Sequence, residues 1–160
     1  MNKHAPEALK WIVNILKTNK FPFRISGGLA VKIYGSKRDL YDIDIDIPDK
    51  AIIKLLPLFE EFKYKGPKRY KDNEWDCYAI SINYKGQDVD LIGSKSQRIF
   101  NKNTGKWENF KINLLNIKRK SIFGLTIPVI PKEELISYKS KIRRKIDLLD
   151  LDFLNKANHK

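Results

Sequence analysis

Hydrophobic positions change their period several times along the chain, and each change marks an element. Leu9, Ile12, Val13 and Leu16 recur at helical spacing behind Pro6 and predict an amphipathic helix over residues 6–18. Phe21 to Ser26 is a short apolar run cut by Gly27-Gly28, and Leu29, Ala30, Ile33 and Tyr34 then resume a helical period as far as Gly35-Ser36. Tyr41 to Ile47 alternates between apolar residues and aspartate until Pro48 stops it, which predicts a strand. Ile52, Ile53, Leu56 and Phe59 predict a helix over 49–62, with Pro57 placed to bend or split it. Lys63 to Asp72 reads as a basic, turn-rich loop.

Trp75 to Tyr84 and Asp88 to Ile92 alternate on either side of Lys85-Gly86-Gln87 and predict a hairpin. Ser94 to Asn109 is polar, contains Asn103-Thr104-Gly105, and reads as a loop with at most a turn of helix. Phe110 to Ile117 and Leu125 to Ile130 are expected to be further strands. Pro131 then opens a last helix, with Glu133 and Glu134 in its first turn facing the positive end of the dipole. Its stripe of Leu135, Tyr138, Ile142, Ile146, Leu149 and Phe153 carries the helical segment to about residue 155. The sum is an α/β (α+β) fold with a mixed, partly antiparallel sheet and flanking helices, in one domain over residues 1–160.

Composition narrows the class. At 160 residues, with 42% hydrophobic and 32% charged positions, the chain is one domain's worth and excludes wholesale disorder. No apolar run approaches the roughly 20 residues that cross a bilayer, and the first residues are too polar for a secretory signal, so a soluble, cytoplasmic protein without a membrane partner is expected. The single cysteine, Cys77, excludes an intrachain disulfide and a multi-cysteine zinc site. A net charge of +13 favours an anionic partner such as a nucleoside triphosphate or a nucleic acid, although a lysine-rich surface alone produces the same figure.

The chemistry concentrates in Ser26-Gly27-Gly28 and Asp42-Ile43-Asp44-Ile45-Asp46. Aspartate is depleted in strands and like charges on one face repel, so this pattern needs a compensating partner. Positions i and i+2 of a strand lie about 6.5 to 7 Å apart on the same face, so Asp42 and Asp44 present adjacent hard oxygen ligands suited to Mg²⁺, or Mn²⁺ in its place. Two such ions could hold the attacking and leaving oxygens of a phosphoryl displacement. Gly27-Gly28, between strand and helix, admits a phosphate chain close to the backbone, and Ser26 adds a hydroxyl. No Gly-Lys-Ser/Thr follows and no GxGxxG is present, which sets aside the P-loop and the dinucleotide fingerprint.

With Gly27-Gly28 followed one short helix later by Asp42-Ile43-Asp44, the chain resembles the nucleotidyltransferase superfamily that shares the DNA polymerase β-like catalytic fold. The resemblance implies that Asp42 and Asp44 bind metal and that a third carboxylate comes from a neighbouring strand. That is Asp90 in Val89-Asp90-Leu91-Ile92, with Asp88 in reserve and Asp46 peripheral. Lys139 and Arg144-Lys145-Ile146-Asp147-Leu148-Leu149-Asp150 look like the lysine and Arg-x-x-Asp-x-x-Asp helix of small members that modify aminoglycosides or lincosamides, and of antitoxin-like relatives. The implied activity is transfer of a nucleoside monophosphate from an NTP to a hydroxyl acceptor. Ser26, Gly27, Gly28, Lys37, Arg38, Lys139 and Arg144 are the candidate nucleotide-binding residues.

Two other readings remain open: a nucleotide-binding or antitoxin-like module that binds a protein partner without transfer, and an enzyme that modifies RNA. The acceptor, whether small molecule, protein or RNA, would meet the variable segments 63–74 and 94–109, where Tyr70, Trp75 and Tyr78 could contact a base. His4 and His159, near the termini, are expected to have no catalytic role.

Overall fold

The aspartate strand lies near the middle of one twisted sheet, and every other element is arranged around its two faces. The computed structural model describes residues 2–157; His159 lies outside them. In chain order the described elements are α1 (Ala5–Thr18), β1 (Arg24–Ser26), α2 (Gly27–Ile33), β2 (Asp42–Ile47), α3 (Asp49–Phe59), β3 (Lys63–Lys71), β4 (Trp75–Tyr84) and β5 (Gln87–Gly93). They continue as β6 (Arg98–Asn101), β7 (Lys106–Asn109), β8 (Lys118–Ile122), β9 (Leu125–Val129), α4 (Lys132–Ile142) and α5 (Lys145–Ala157). The strands run β7-β6-β4-β5-β2-β1-β9-β8, with β3 also paired to β4. The β2–β5 and β1–β9 pairs are parallel and the others antiparallel, giving a mixed α/β sheet.

Alternation decides which face is dry. Ile43, Ile45 and Ile47 of β2, Val89 and Leu91 of β5, and Ile80 and Ile82 of β4 are fully buried beneath α1 and α3, which bring Leu9, Ile12, Leu16, Ile52 and Phe59. The residues between them point to the other face, which α4 and α5 border without filling. Among the described residues no helix is long and apolar enough to cross a membrane.

Four expectations need correction. Residues 63–71 form a strand, not a loop: β3 is an edge strand, where lysines and a proline are tolerated because one side of the ladder is solvated. Most of the presumed 94–109 loop is a hairpin of two four-residue strands, β6 and β7, too short and polar to show a period, with Phe100 packed on Trp107. The strand predicted at 110–117 lies instead at Lys118–Ile122, held by pairing with β9, while Phe110 serves as packing for Trp75 and Tyr138. The last helix is two helices, because Arg143 takes a left-handed backbone with φ +50°. The break re-aims the apolar face, so Leu151 and Leu154 are buried and Leu149 is 66% exposed. Pro57, by contrast, sits in the last turn of α3 without splitting it.

Candidate active site

Register brings the carboxylates together. Because β2 and β5 pair in parallel with Asp42 opposite Asp88 and Asp44 opposite Asp90, the face that carries Asp42 and Asp44 continues directly onto β5. Asp42, Asp44 and Asp90 each place a carboxylate oxygen within 4.8 Å of the other two. Asp88 points the same way but accepts a hydrogen bond from Asn83 Nδ2 at 2.8 Å and stands outside that group. Ser81, opposite Asp90 on β4, donates its hydroxyl to Asp90 Oδ1 at 2.5 Å.

These groups are short of positive charge. Burial pushes the Asp44 carboxyl well above its ordinary range, and the negative fields of Asp42, Asp90 and Asp46 add to the shift, against the pull of Lys139. Asp42 and Asp90 are raised chiefly by burial as well, with Arg144 opposing at the first and the Ser81 hydrogen bond at the second. Three partly buried carboxylates that repel one another, all hard oxygen donors, fit a divalent cation such as Mg²⁺ or Mn²⁺.

Asp46, which also lines the cleft, has a different set of partners. It is buried and accepts from Arg24 Nε at 2.9 Å and from Ser26 Oγ at 3.3 Å. Arg24 in turn grips Glu134 at 2.7 and 2.8 Å, tying α4 to the sheet. The Ser26 hydroxyl is thus engaged on Asp46 at the edge of the cleft.

Gly27 is dictated by geometry. Its φ is +59°, and a Cβ there would stand 2.0 Å from Asp44 Oδ2. Its N–H donates to the Tyr138 hydroxyl at 3.1 Å, and Tyr138 is buried, its phenol pushed up to about 12 mainly by that burial. Gly27→Ala is therefore expected to displace the Asp44 carboxylate and to cost about 1 to 2 kcal/mol from the left-handed backbone alone. Urea denaturation together with Mg²⁺ titration checks this, and unchanged metal affinity in the variant would refute it. Gly28 has no left-handed backbone to protect, but a Cβ there would stand 2.6 Å from Arg38 Nη2 and push against the guanidinium.

The cationic wall comes from α4, α5 and the segment after α2. Lys139 is buried, its ammonium 3.0 Å from both Asp147 and Asp150. Arg38 pairs with both oxygens of Asp150 at 2.6 and 3.0 Å, and Arg144 Nε reaches Asp147 at 2.8 Å. Three cations are thus ordered by two carboxylates, and all three cations line the cleft that holds the aspartates, whose volume is about 680 Å³. Lys37 is exposed and is not among the cleft-lining residues. Tyr70 and Trp75 line the far wall, whereas Tyr78 packs against the core on the opposite face of β4. Cys77 also lines the cleft, and burial pushes its thiol to about 11, which keeps it protonated and unreactive.

Sequence reasoning missed the organising roles of Tyr138, Ser81, Asp147 and Asp150. The i, i+3 spacing of Asp147 and Asp150, which puts both on one helix face, was the available signal for the last two.

No protein-family profile matches the chain, and no curated protein matches it in sequence. Solved structures do. A Thermotoga maritima protein, TM1012, described as a presumptive nucleotidyltransferase, superposes with a TM-score of 0.63 over 97% of this chain and 91% of its own, at 23% identity. The lincosamide antibiotic adenylyltransferase LnuA, bound to lincomycin, gives 0.64 over 94% and 96%, at 19% identity. ANT(2″)-Ia, in complex with adenylyl-2″-tobramycin, gives 0.62 over 95% and 88%, at 14% identity. The chain has the nucleotidyltransferase fold, as the glycine and aspartate pattern led us to expect.

Proposed function

We propose that the protein is a metal-dependent nucleotidyltransferase that moves a nucleoside monophosphate from an NTP to a hydroxyl acceptor and releases pyrophosphate. The observation that carries this reading is the convergence of Asp42, Asp44 and Asp90 opposite a wall of Lys139, Arg38 and Arg144, in a fold shared with two adenylyltransferases. Asp42, Asp44 and Asp90 would hold Mg²⁺ or Mn²⁺, which when bound neutralises charge developing on the transferred phosphoryl group. Arg38 and Arg144, both partly exposed at the cleft, would meet the triphosphate oxygens, and Lys139 would set the field behind them. Gly27 and Gly28 keep side chains out of the space beside the carboxylates. Asp90 is the group that would accept the proton of the acceptor hydroxyl, and the Ser81 hydrogen bond fixes the direction in which its carboxylate points.

Retention of all three carboxylates favours catalysis over a partner-binding module. Calorimetric titration with ATP, GTP, CTP and UTP, with and without Mg²⁺, tests the reading. Binding of at least one nucleotide that requires the metal is expected. Absence of magnesium-dependent binding for all four would overturn it.

A further inference from the structure

The functional face does not stop at β4. On the edge strand β3, Lys65 is paired opposite Ser81, Lys68 opposite Ala79 and Tyr70 opposite Cys77, and those three β4 residues all line the cleft. Directly opposed residues of an antiparallel pair share a face, so Lys65 and Tyr70 line the cleft as well, and Lys68 stands on the same face just outside that lining. The Lys65 ammonium stands 4.5 Å from the centroid of the Tyr70 ring and that of Lys68 stands 5.0 Å from it. Neither has a carboxylate within ion-pair distance among the described residues, whereas Arg38, Lys139 and Arg144 of the same cleft do. The acidic residue of this wall, Asp72, has its Oδ1 engaged by the backbone N–H groups of Glu74 and Trp75 at 2.8 and 2.6 Å. The Tyr70 hydroxyl is buried and has no hydrogen-bond partner among the described residues.

Two ammonium groups drawn to one aromatic ring, with no carboxylate in ion-pair contact among the described residues, repel each other, and an anion bound to both relieves that repulsion. We propose that Lys65 and Lys68, seated on Tyr70, form a phosphate-binding clamp for the acceptor, so that the acceptor is a phosphorylated hydroxyl compound and not a polyamine. The inference rests on the nucleotidyltransferase reading for the identity of the occupant, while the clamp itself does not. Lys65 is paired opposite Ser81, whose hydroxyl donates to Asp90 Oδ1, so a phosphate held here leaves the hydroxyl end of the same molecule beside the group that would take its proton. An aminosugar such as the tobramycin in ANT(2″)-Ia would set its ammonium groups against Lys65 and Lys68.

The test is a calorimetric titration of ribose 5-phosphate, ribose and tobramycin into wild type and the double variant Lys65→Gln/Lys68→Gln, with Mg²⁺ and a saturating non-hydrolysable NTP analogue. Wild type is expected to bind the phosphate at least about tenfold more tightly than ribose, and the variant to lose that difference while keeping its NTP affinity. Equal binding of the two sugars, a phosphate preference that survives the double substitution, or tighter binding of tobramycin than of ribose 5-phosphate to wild type would overturn the proposal. If the NTP fails to bind while the phosphate preference tracks Lys65 and Lys68, the enzymatic reading fails and the anion clamp stands.

A 5′-phosphorylated hexaribonucleotide separates the sources of the phosphate. An affinity that falls with salt by several counterions, at about 0.7 per contact, assigns the phosphate to an RNA acceptor, and a slope near one assigns it to a small molecule.

Discussion

Asp44→Asn is expected to lower turnover by about three orders of magnitude or more while making the metal-free protein more stable. Loss of a metal ligand forfeits several kcal/mol of transition-state charge stabilisation, at about 1.4 kcal/mol per factor of ten. Stability moves the other way because Asp44 sits among Asp42, Asp46 and Asp90 with its own carboxyl pushed up by burial. A carboxyl whose folded value lies above its unfolded value takes up a proton on folding between the two. Metal-free wild type therefore loses stability as the pH rises through that window, above the ordinary aspartate range, and the amide variant should show a flatter slope. Mg²⁺ should raise the melting temperature of wild type and leave that of the variant nearly unchanged. Undiminished turnover in Asp44→Asn, or an equal magnesium shift in both proteins, would remove the metal assignment.

Lys139→Met should be the most destabilising of the site substitutions. Its ammonium is buried and shared at 3.0 Å by Asp147 and Asp150, so removing it strands charge in the interior, a change that costs about 3 to 5 kcal/mol. For a chain of this size that corresponds to roughly 6 to 20 °C in melting temperature. The sign with pH also follows. Burial opposes ionisation of Asp147, but the Arg144 hydrogen bond and the charges of Lys139 and Arg144 outweigh it and hold the carboxyl below its usual range. The stability this supplies is present above the ordinary carboxylate range and is lost as the pH falls through the depressed value; in Lys139→Met the acid loss should begin at a higher pH. Urea midpoints between pH 2 and pH 7 measure both effects, and a variant within about 1 kcal/mol of wild type would mean that the buried cation is dispensable.

The centre of the site was legible in the sequence because it breaks a rule. Alternating aspartates in a strand are costly, and isoleucines between them fix which side is core, so Asp42 and Asp44 could be placed on one face without coordinates. Alternation could not choose between Asp88 and Asp90, since both share a face; the choice depends on the parallel register of β5 against β2, a long-range fact. Edge elements were illegible for another reason. Lys63 to Lys71 and the β6–β7 hairpin owe their strand conformation to partners and not to intrinsic preference, and the break at Arg143 carries no glycine or proline to announce it. The same blindness hid the clamp on β3, because a run read as a solvated loop has no face.

That break has a consequence for the order in which the molecule assembles. The site is drawn from β1 and β2, from β4 and β5, and from two helices that follow β9, and β9 itself pairs with β1 near the other end of the chain. A domain folds as a unit. The aspartate strands are synthesised before Lys139 and Arg144, but the sheet that holds them therefore closes only when β9 is available to pair with β1. The charge that balances the aspartates arrives on α4 and the turn after it, and the fold-back of α5 across Arg143 then brings Asp147 and Asp150 onto Lys139, Arg144 and Arg38, so docking of that last helix is the step that orders the cationic wall.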